Sequence, residues 1–325
     1  MKNLKLLLLA AVITAAALPA TAQLSDTYVI AAAANQTGAF GTHWKTRFTI
    51  FNPHLDETLW VSVTFLPTGG RPQPDPNDEF LIELPPNALA YSENILEDLY
   101  DTQGGGALLV ATFADDNPHL PDDMLSRSFL VTTDTYNNPN NTGTFGQTIP
   151  GVWTGLLDYE FDRISAIVPM VRNHGDWRTN IGAVNLGRCE VRLFVSAYDG
   201  DGNTVLDQAV FPIPPLAHHQ LPLPVALEIG SVEFSVDDPC TGDPDRLAVV
   251  FPYTSTIDRR TGDPTYGVPQ LLAEPGDLFA KGQTIDPRTI GTEIDSTYAR
   301  KVRDQAQRRG AARLTRDATG WKITQ

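Results

Sequence analysis

Alternation of apolar and polar residues predicts short β-strands along most of this chain. In Glu190–Tyr198 the polar positions thin out towards the end, as in a strand with one buried face. The predicted strands are Thr27–Ala33, Lys45–Asn52, Leu59–Leu66, Phe80–Leu84, Ala88–Tyr91, Ala107–Phe113, Arg127–Tyr136, Arg163–Met170, Arg178–Leu186, Glu190–Tyr198, Thr204–Ile213, Ser231–Val236 and Leu247–Thr256. No segment keeps a long helical period, so the pattern predicts an all-β protein of antiparallel β-sandwiches.

Helix is expected at two places only. One short helix is predicted at Ser92–Tyr100, with Ser92 as the N-cap because its hydroxyl can accept a backbone N–H. The C-terminal segment Ser296–Gln325 is basic, with eight Lys and Arg residues against two Asp residues. A helix ending near Ala306 is predicted at the start of this tail. Three alternatives stay open for the tail: it is solvated, it docks on the acidic body, or it binds a polyanion outside the cell.

The chain also contains an internal repeat. Trp44–Asn52 returns 133 positions later as Trp177–Asn185, with the Trp, a basic residue, a Thr and the closing Asn all matched. A second stretch, which includes Phe145-Gly146 and Tyr266-Gly267, matches at an offset of 121. An offset that changes along the chain, here from 133 to 121, is typical of duplicated domains whose loops differ in length. The predicted divisions are a signal peptide at 1–22, sandwich domains at 23–155 and 156–272, and a linker with the basic tail at 273–325.

The N-terminus has the pattern of a secretory signal. Lys2 and Lys5 precede the apolar run Leu6–Leu18, and Ala20–Ala22 is a small-residue cleavage site. No later apolar stretch is long enough to cross a bilayer, so no transmembrane segment is expected after the signal is removed. The predicted location is therefore secreted or periplasmic.

The net charge of the chain restricts the kinds of partner that it can bind. The chain has 39 acidic and 24 basic residues, a net charge of -15. Such a surface repels nucleic acid, so none is expected as a partner. An extracellular or envelope protein, or a glycan, is the expected partner.

The two cysteines are Cys189 and Cys240, both in the second repeat. An even number of cysteines in an exported chain favours a disulfide. The alternative is two buried thiols.

Two acidic loops at equivalent places in the repeat are candidate calcium sites. Each concentrates four carboxylates in nine residues, and Ca²⁺ prefers six to eight oxygen ligands. The candidate ligands are Asp115, Asp116, Asp122, Asp123, Asp237, Asp238, Asp243 and Asp245. The alternative is solvated loops, because no fixed ligand spacing is met. Asp199–Asn203 also resembles the start of a calcium loop, but its position between two strands favours a hairpin turn.

Three tryptophans are candidate ligand-binding residues. Trp44 and Trp177 begin the repeated strand, and Trp60 lies in the next strand of the first repeat. The two repeated tryptophans are best explained by packing at the ends of the sandwiches. The alternative is that all three are platforms on which sugar rings stack.

No catalytic signature is found. The six histidines form no metal motif, and His218 and His219 are expected to face opposite sides of a strand. A nucleophile elbow, a phosphate-binding glycine loop and a Cys-x-x-Cys motif are all missing from the sequence. No cofactor is expected apart from a possible Ca²⁺. The protein is therefore predicted not to be an enzyme, although a hydrolase site between the repeats, near His174 or Asp176, remains an alternative.

The tandem pattern resembles exported bacterial proteins made of duplicated immunoglobulin-like or fibronectin-III-like sandwiches. The repeated strand, the Asp199–Asn203 turn, and Phe145-Gly146 with Tyr266-Gly267 carry this resemblance. Neither repeat has the Cys…Trp…Cys order of antibody domains. The resemblance implies a surface, matrix or adhesion-type binding protein that acts through its loops, and a carbohydrate-binding protein is the main alternative.

Overall fold

A computed structural model describes residues 25–38, 41–70, 78–112, 127–137, 145–153, 165–187, 189–237, 250–272, 312–317 and 320–324. The strands of the first half are β1 Thr27–Thr37, β2 His43–Phe51, β3 Leu59–Pro67, β4 Glu79–Leu84, β5 Leu89–Ser92, β6 Gly104–Thr112, β7 Leu130–Asn137 and β8 Phe145–Trp153. Those of the second half are β9 Ser165–Asn173, β10 Trp177–Asn185, β11 Val191–Asp199, β12 Thr204–Ile213, β13 Ala217–Pro222, β14 Leu227–Asp237, β15 Val250–Asp258, β16 Pro264–Gly267 and β17 Gln270–Leu272. The described part of the chain ends with β18 Arg313–Arg316 and β19 Trp321–Thr324. The predicted all-β class with antiparallel sheets is confirmed.

The first half and the last two strands form one ten-stranded sheet. Its order is β18-β19-β5-β2-β7-β8-β1-β6-β3-β4, and β1 also pairs with β2. That extra pairing closes a ring of β1, β2, β7 and β8, so the sheet folds back on itself around a core. Tyr28, Phe48, Val63, Leu108 and Ile149 are among the buried side chains of this core.

The second half contains two sheets that share one core. Their orders are β13-β10-β15-β16 and β12-β11-β14-β9-β17. Val168, Ile181, Val195, Phe234 and Val250 contribute buried side chains to this core from both sheets. The order of β5-β2-β7-β8 in the first half is the order of β13-β10-β15-β16 in the second. Likewise β4-β3-β6-β1 corresponds to β12-β11-β14-β9.

β8 has two equivalents in the second half. Its first part pairs with β7 and its last residues pair with β1. In the second half β16 pairs with β15, and the separate strand β17 pairs with β9. Pro150, which has no N–H to donate, lies where β8 passes from one partner to the other.

A pair of buried threonines connects equivalent strands in each half. The Oγ1 atoms of Thr46 and Thr135 are 2.9 Å apart, and those of Thr179 and Thr256 are 2.7 Å apart. Thr46 and Thr179 differ by the first offset of the repeat, and Thr135 and Thr256 by the second. The repeat in the sequence is thus also a repeat of side-chain contacts.

A buried asparagine at the end of the repeated strand makes the same hydrogen bonds in both halves. The Nδ2 atom of Asn52 donates to the carbonyl oxygens of Glu57, Leu84 and Pro85. The Nδ2 atom of Asn185 donates to those of Cys189, Ile213 and Pro214. Both asparagines are fully buried, so each fixes the chain around one end of its core.

The short helix α1, Ile95–Asp98, is shorter than predicted, and Ser92 is not its N-cap. Ser92 is the last residue of β5, and Asn94 is the N-cap. The Ser92 hydroxyl accepts the N–H of Asn94 and donates to Asp98, so it forms a turn before the helix begins.

The end of the basic tail lies on the first half as a β-hairpin, which the sequence did not predict. β19 pairs with β5 in parallel, through Trp321 opposite Ala90. Ala312 and Ile323 are buried in the core of the first half. The helix predicted between Ser296 and Ala306 lies outside the described residues.

Candidate functional site

The two halves meet through an apolar cluster between their sheets. The first half contributes Val29, Ala31, Leu66 and Ala107, and the second contributes Val184, Leu186, Phe251 and Tyr253. These side chains are on the faces of their strands opposite to Tyr28, Leu108 and Ile181, which belong to the internal cores. Strands β1, β6 and β10 are therefore covered on both faces.

The face of β10 that points to the first half changes from apolar to polar along the strand. Val184 and Gly182 are buried against the first half, whereas Asn180 and Arg178 are half-buried. Gly182 leaves room for the ring of Tyr253, which a Cβ at this position would overlap. Contact between the halves is therefore tight at one end of the strand and opens at the other.

Two adjoining cavities lie where the halves separate. The larger, with a volume of about 510 Å³, is lined by Gln36, Thr68 and Gln103 from the first half and by Asn180 and Gln220 from the second. The smaller, of about 110 Å³, shares Gln36, Asn180 and Gln220 with it. It is completed by Trp44, Gln147, Arg178, Tyr253 and Ser255. We call the two cavities together the cleft.

Three amide side chains in the cleft have unused hydrogen-bonding capacity. Gln36, Gln103 and Asn180 make no side-chain hydrogen bond within the described part of the chain. Each amide can donate two hydrogen bonds and accept two. Because the amides come from both halves and converge on one space, they could bind a polar ligand from two sides.

Glycines at the start of β6 form part of the cleft wall. Gly104 has a φ of +135°, a conformation that favours glycine. A Cβ at Gly106 would collide with the carbonyl oxygen of Leu66, so this glycine permits close approach of β3 and β6. The wall near Gly104 and Gly105 is therefore largely backbone, which leaves room for a ligand.

A buried histidine joins the halves beside the cleft. His218 Nδ1 is 2.7 Å from the Thr68 hydroxyl, and its Nε2 is 2.8 Å from the Tyr253 hydroxyl. Burial, and secondarily the charge of His219, lowers the pKa of His218 to about 3. Burial also raises the pKa of Tyr253, so both side chains are neutral at physiological pH. This contact holds the halves in register and carries no acid–base group poised near neutrality.

The three candidate tryptophans are not brought together. Trp44 lines the smaller cavity. Trp177 has the corresponding place in the second half, but the Arg172 guanidinium lies 5.3 Å from the centre of its ring. Trp60 lies on β3 opposite Glu83 and does not line either cavity. All three are half-buried, so only Trp44 combines an accessible ring with the cleft.

The candidate calcium ligands lie almost entirely outside the described residues. Asp115, Asp116, Asp122, Asp123, Asp238, Asp243 and Asp245 are among the residues that the structure does not describe, and Asp237 is the last residue of β14. Within the described ranges no group of three His, Cys, Asp or Glu residues could hold a metal. Calcium binding by these loops stays a prediction.

The Asp199–Asn203 segment is the hairpin turn that was predicted. Asp199 Oδ1 accepts the N–H groups of Asp201 and Asn203, and Gly202 has a φ of +84°. Hydrogen bonds from the Asn203 side chain and from backbone N–H groups of the turn stabilise the charged carboxylate, and they lower the pKa of Asp199. The turn connects β11 and β12, which pair antiparallel.

The disulfide between Cys189 and Cys240 stays a prediction. Cys189 lies just before β11, and its carbonyl oxygen accepts a hydrogen bond from Asn185. Cys240 lies outside the described residues.

Among the described residues, the walls of the cleft contain neither the carboxylates nor the histidine expected of the alternative hydrolase site. No Asp or Glu among the described residues lines either cavity. His174 is exposed, and Asp176 forms an ion pair with Arg260 at 3.1 Å. Neither residue lines the cleft.

Comparison with known proteins gave no match, either to a family model or to a curated protein. In the described ranges, no helix has the length and apolar character needed to cross a bilayer.

The amides and Arg178 belong to no sequence motif, so no sequence-based expectation included them. The first offset of the repeat aligns Asn180 with Arg47, so the repeat does show a difference at position 180. It aligns Arg178 with Lys45, a matched basic residue, and therefore gives no signal for Arg178.

Proposed function

We propose that the chain is an exported, non-enzymatic binding protein of the cell surface or matrix, built from two tandem immunoglobulin-like sandwiches. The same strand order in both halves and the shared threonine and asparagine contacts support the duplicated sandwich. The continuous apolar contact between the halves supports a rigid pair of domains, because such a contact resists relative motion.

Within this class we propose a carbohydrate ligand that binds in the cleft. The observation that carries this proposal is the convergence of Gln36, Gln103 and Asn180, without hydrogen-bond partners in the described chain, on a cavity next to Trp44. Sugars expose hydroxyl groups that pair with amides and C–H faces that pack on aromatic rings. A pocket with a few placed polar groups and an apolar face is the usual form of a small-molecule site.

The cleft also changes the expected place of binding. The resemblance implies contacts through the loops at the ends of the sandwiches. The unpartnered amides lie instead on β1, β10 and the segment before β6, at the boundary of the halves. The cleft therefore depends on both halves being present and correctly docked.

The experiment is a glycan-array screen of the mature protein, followed by calorimetric titration of each hit. Asn180→Ala and Trp44→Ala are expected to weaken binding at least tenfold, because each removes a group from the cleft. The matched control is Trp60→Ala, which removes an equally large ring outside the cleft.

Two results would reject the carbohydrate proposal. One is a folded protein that binds nothing on the array. The other is Trp44→Ala binding as tightly as the unmodified protein while Trp60→Ala loses binding. Binding that survives both cleft variants but is lost when the 199–203 turn is altered would favour recognition through the loops.

A further inference from the structure

The positively charged side chain of Arg178 has no carboxylate partner within the described residues. Its Nε is buried and has no hydrogen-bond partner, and within the described chain its guanidinium forms no ion pair. Burial, followed by the nearby charge of Arg259, lowers the pKa of Arg178. A guanidinium stays charged at any physiological pH, so this side chain keeps a positive charge in a partly desolvated place. Such a charge is costly unless it is paired.

Several other arginines of the described chain have partners. Arg47 forms an ion pair with Glu93 at 3.0 Å, and Arg260 forms one with Asp176 at 3.1 Å. Arg172 lies over the ring of Trp177. The chain has 39 acidic residues, so acidic side chains that could pair with Arg178 are abundant in its composition. Arg178 therefore differs from these three arginines, because it has no charged or aromatic partner within the described residues.

The surroundings of Arg178 suit a carboxylate from a ligand. The described walls of the cleft contain hydrogen-bond donors from Asn180, Gln147 and Ser255 but no Asp or Glu. Gln147 and Ser255 already bond to each other across the halves, at 3.1 Å, which leaves Arg178 and Asn180 to bind an incoming group. A guanidinium presents two parallel N–H groups that match the two oxygens of a carboxylate.

The size of the smaller cavity fits one substituent of a larger ligand. Its volume of about 110 Å³ corresponds to roughly four water molecules at about 30 Å³ each. A carboxylate fits into this space without a whole sugar ring having to enter. Because Gln36, Asn180 and Gln220 line both cavities, a ring in the larger one can extend its substituent into the smaller one.

We infer that the smaller cavity is a carboxylate-binding subsite, with Arg178 as its charged residue, and that the ligand of the cleft is an acidic saccharide containing uronic acid units. This inference rests on the proposed function and makes its substrate class specific. Trp44 forms a wall of the same subsite, beside the carboxylate-bearing edge of a uronate whose ring lies in the larger cavity.

The test compares each acidic saccharide with its own carboxyl-reduced form. Oligosaccharides of galacturonate, alginate and hyaluronan are titrated by calorimetry against the mature protein, beside the same compounds after reduction of the carboxylates to primary alcohols. The unmodified protein is expected to bind at least one acidic form ten or more times more tightly than its reduced form. This preference is expected to decline as ionic strength rises.

Substitutions of Arg178 test whether this side chain causes the preference for the acidic form over the reduced form. Arg178→Gln is expected to remove the preference for the acidic form, and Arg178→Lys is expected to keep part of it. Arg47→Gln is the control, because it removes an arginine from the corresponding strand of the first half. A thermal melt of each variant confirms that it is folded.

The outcomes separate the two proposals. Equal binding of acidic and reduced forms, or a preference that survives in folded Arg178→Gln, overturns the carboxylate subsite. Binding of neutral saccharides alone overturns the subsite and leaves the carbohydrate proposal in place. Failure of every saccharide to bind overturns both.

Discussion

Strands β2 and β10 carry the two occurrences of the repeated sequence, and their polar contacts match on one side and differ on the other. On the inner side, each has a buried Thr paired with another Thr and ends in a buried Asn that bonds three carbonyl groups. On the outer side, β2 has Arg47, which is partly exposed and paired with Glu93. β10 has Asn180 and Arg178, which face the first half and have no partner within the described residues. The inner polar contacts are thus the same in both halves, whereas the outer polar side chains have different surroundings.

The largest effect is expected from removing the repeated asparagine. Asn52→Ala and Asn185→Ala each remove a buried amide that donates to three carbonyl oxygens and accepts one backbone N–H, so each should lower the free energy of unfolding by about 4 kcal/mol. Urea titration followed by tryptophan fluorescence measures this loss. Thr204→Ala, at an exposed position, should stay within about 0.5 kcal/mol of the unmodified protein. A cost below about 1 kcal/mol for either asparagine would show that the two inner sides are not equivalent.

A smaller effect is expected from acid, through the boundary between the halves. Below its ordinary pKa near 6.5 the imidazole of an unfolded chain takes up a proton, whereas buried His218 resists protonation down to about pH 3. The unfolded state therefore binds more protons in this window, and this contribution to stability is complete above pH 6.5 and is lost as the pH falls. The loss between pH 7 and pH 4 is about 3 kcal/mol.

His218→Gln isolates this contribution from that of the carboxylates. The variant should lack that part of the pH dependence when the free energy of unfolding is measured between pH 7 and pH 4. The exposed His174→Gln should retain it. Parallel curves for the unmodified protein and His218→Gln would contradict the prediction.

The smallest effect is expected from the threonine pairs. Thr46→Val and Thr179→Val keep the side-chain shape but remove one hydroxyl each, and both should cost about 1 kcal/mol. Double-mutant cycles with Thr135→Val and Thr256→Val should give similar coupling energies in the two halves. Coupling in one half alone would break the equivalence of the inner sides.

Local pattern predicted most of the strands because one face of each is buried in a core. β8 was missed because Gly146, Pro150 and Gly151 interrupt its pattern, although Pro150 lies where the strand changes partners. β13 was missed because its His-His-Gln sequence does not alternate. Its His218 is buried all the same, since the first half covers the face that would otherwise be exposed.

The site could not be predicted in the same way, because it is formed between distant parts of the chain. Gln36 and Asn180 are separated by more than one hundred residues, and neither belongs to a motif. Apolar runs such as that of β1 are typical of strands buried on both faces, and the adjacent Val29 and Ile30 are both fully buried. Such runs predict that both faces of a strand are buried, but they do not identify the elements that bury them.

The hairpin at the end of the chain affects the order in which the protein can be completed. Ile323 is fully buried in the core of the first half, and β19 extends the edge beside β5. The first half therefore lacks part of its interior until the segment that follows the second half has been synthesised. The half that is synthesised first reaches its final state only after the second half has also been made.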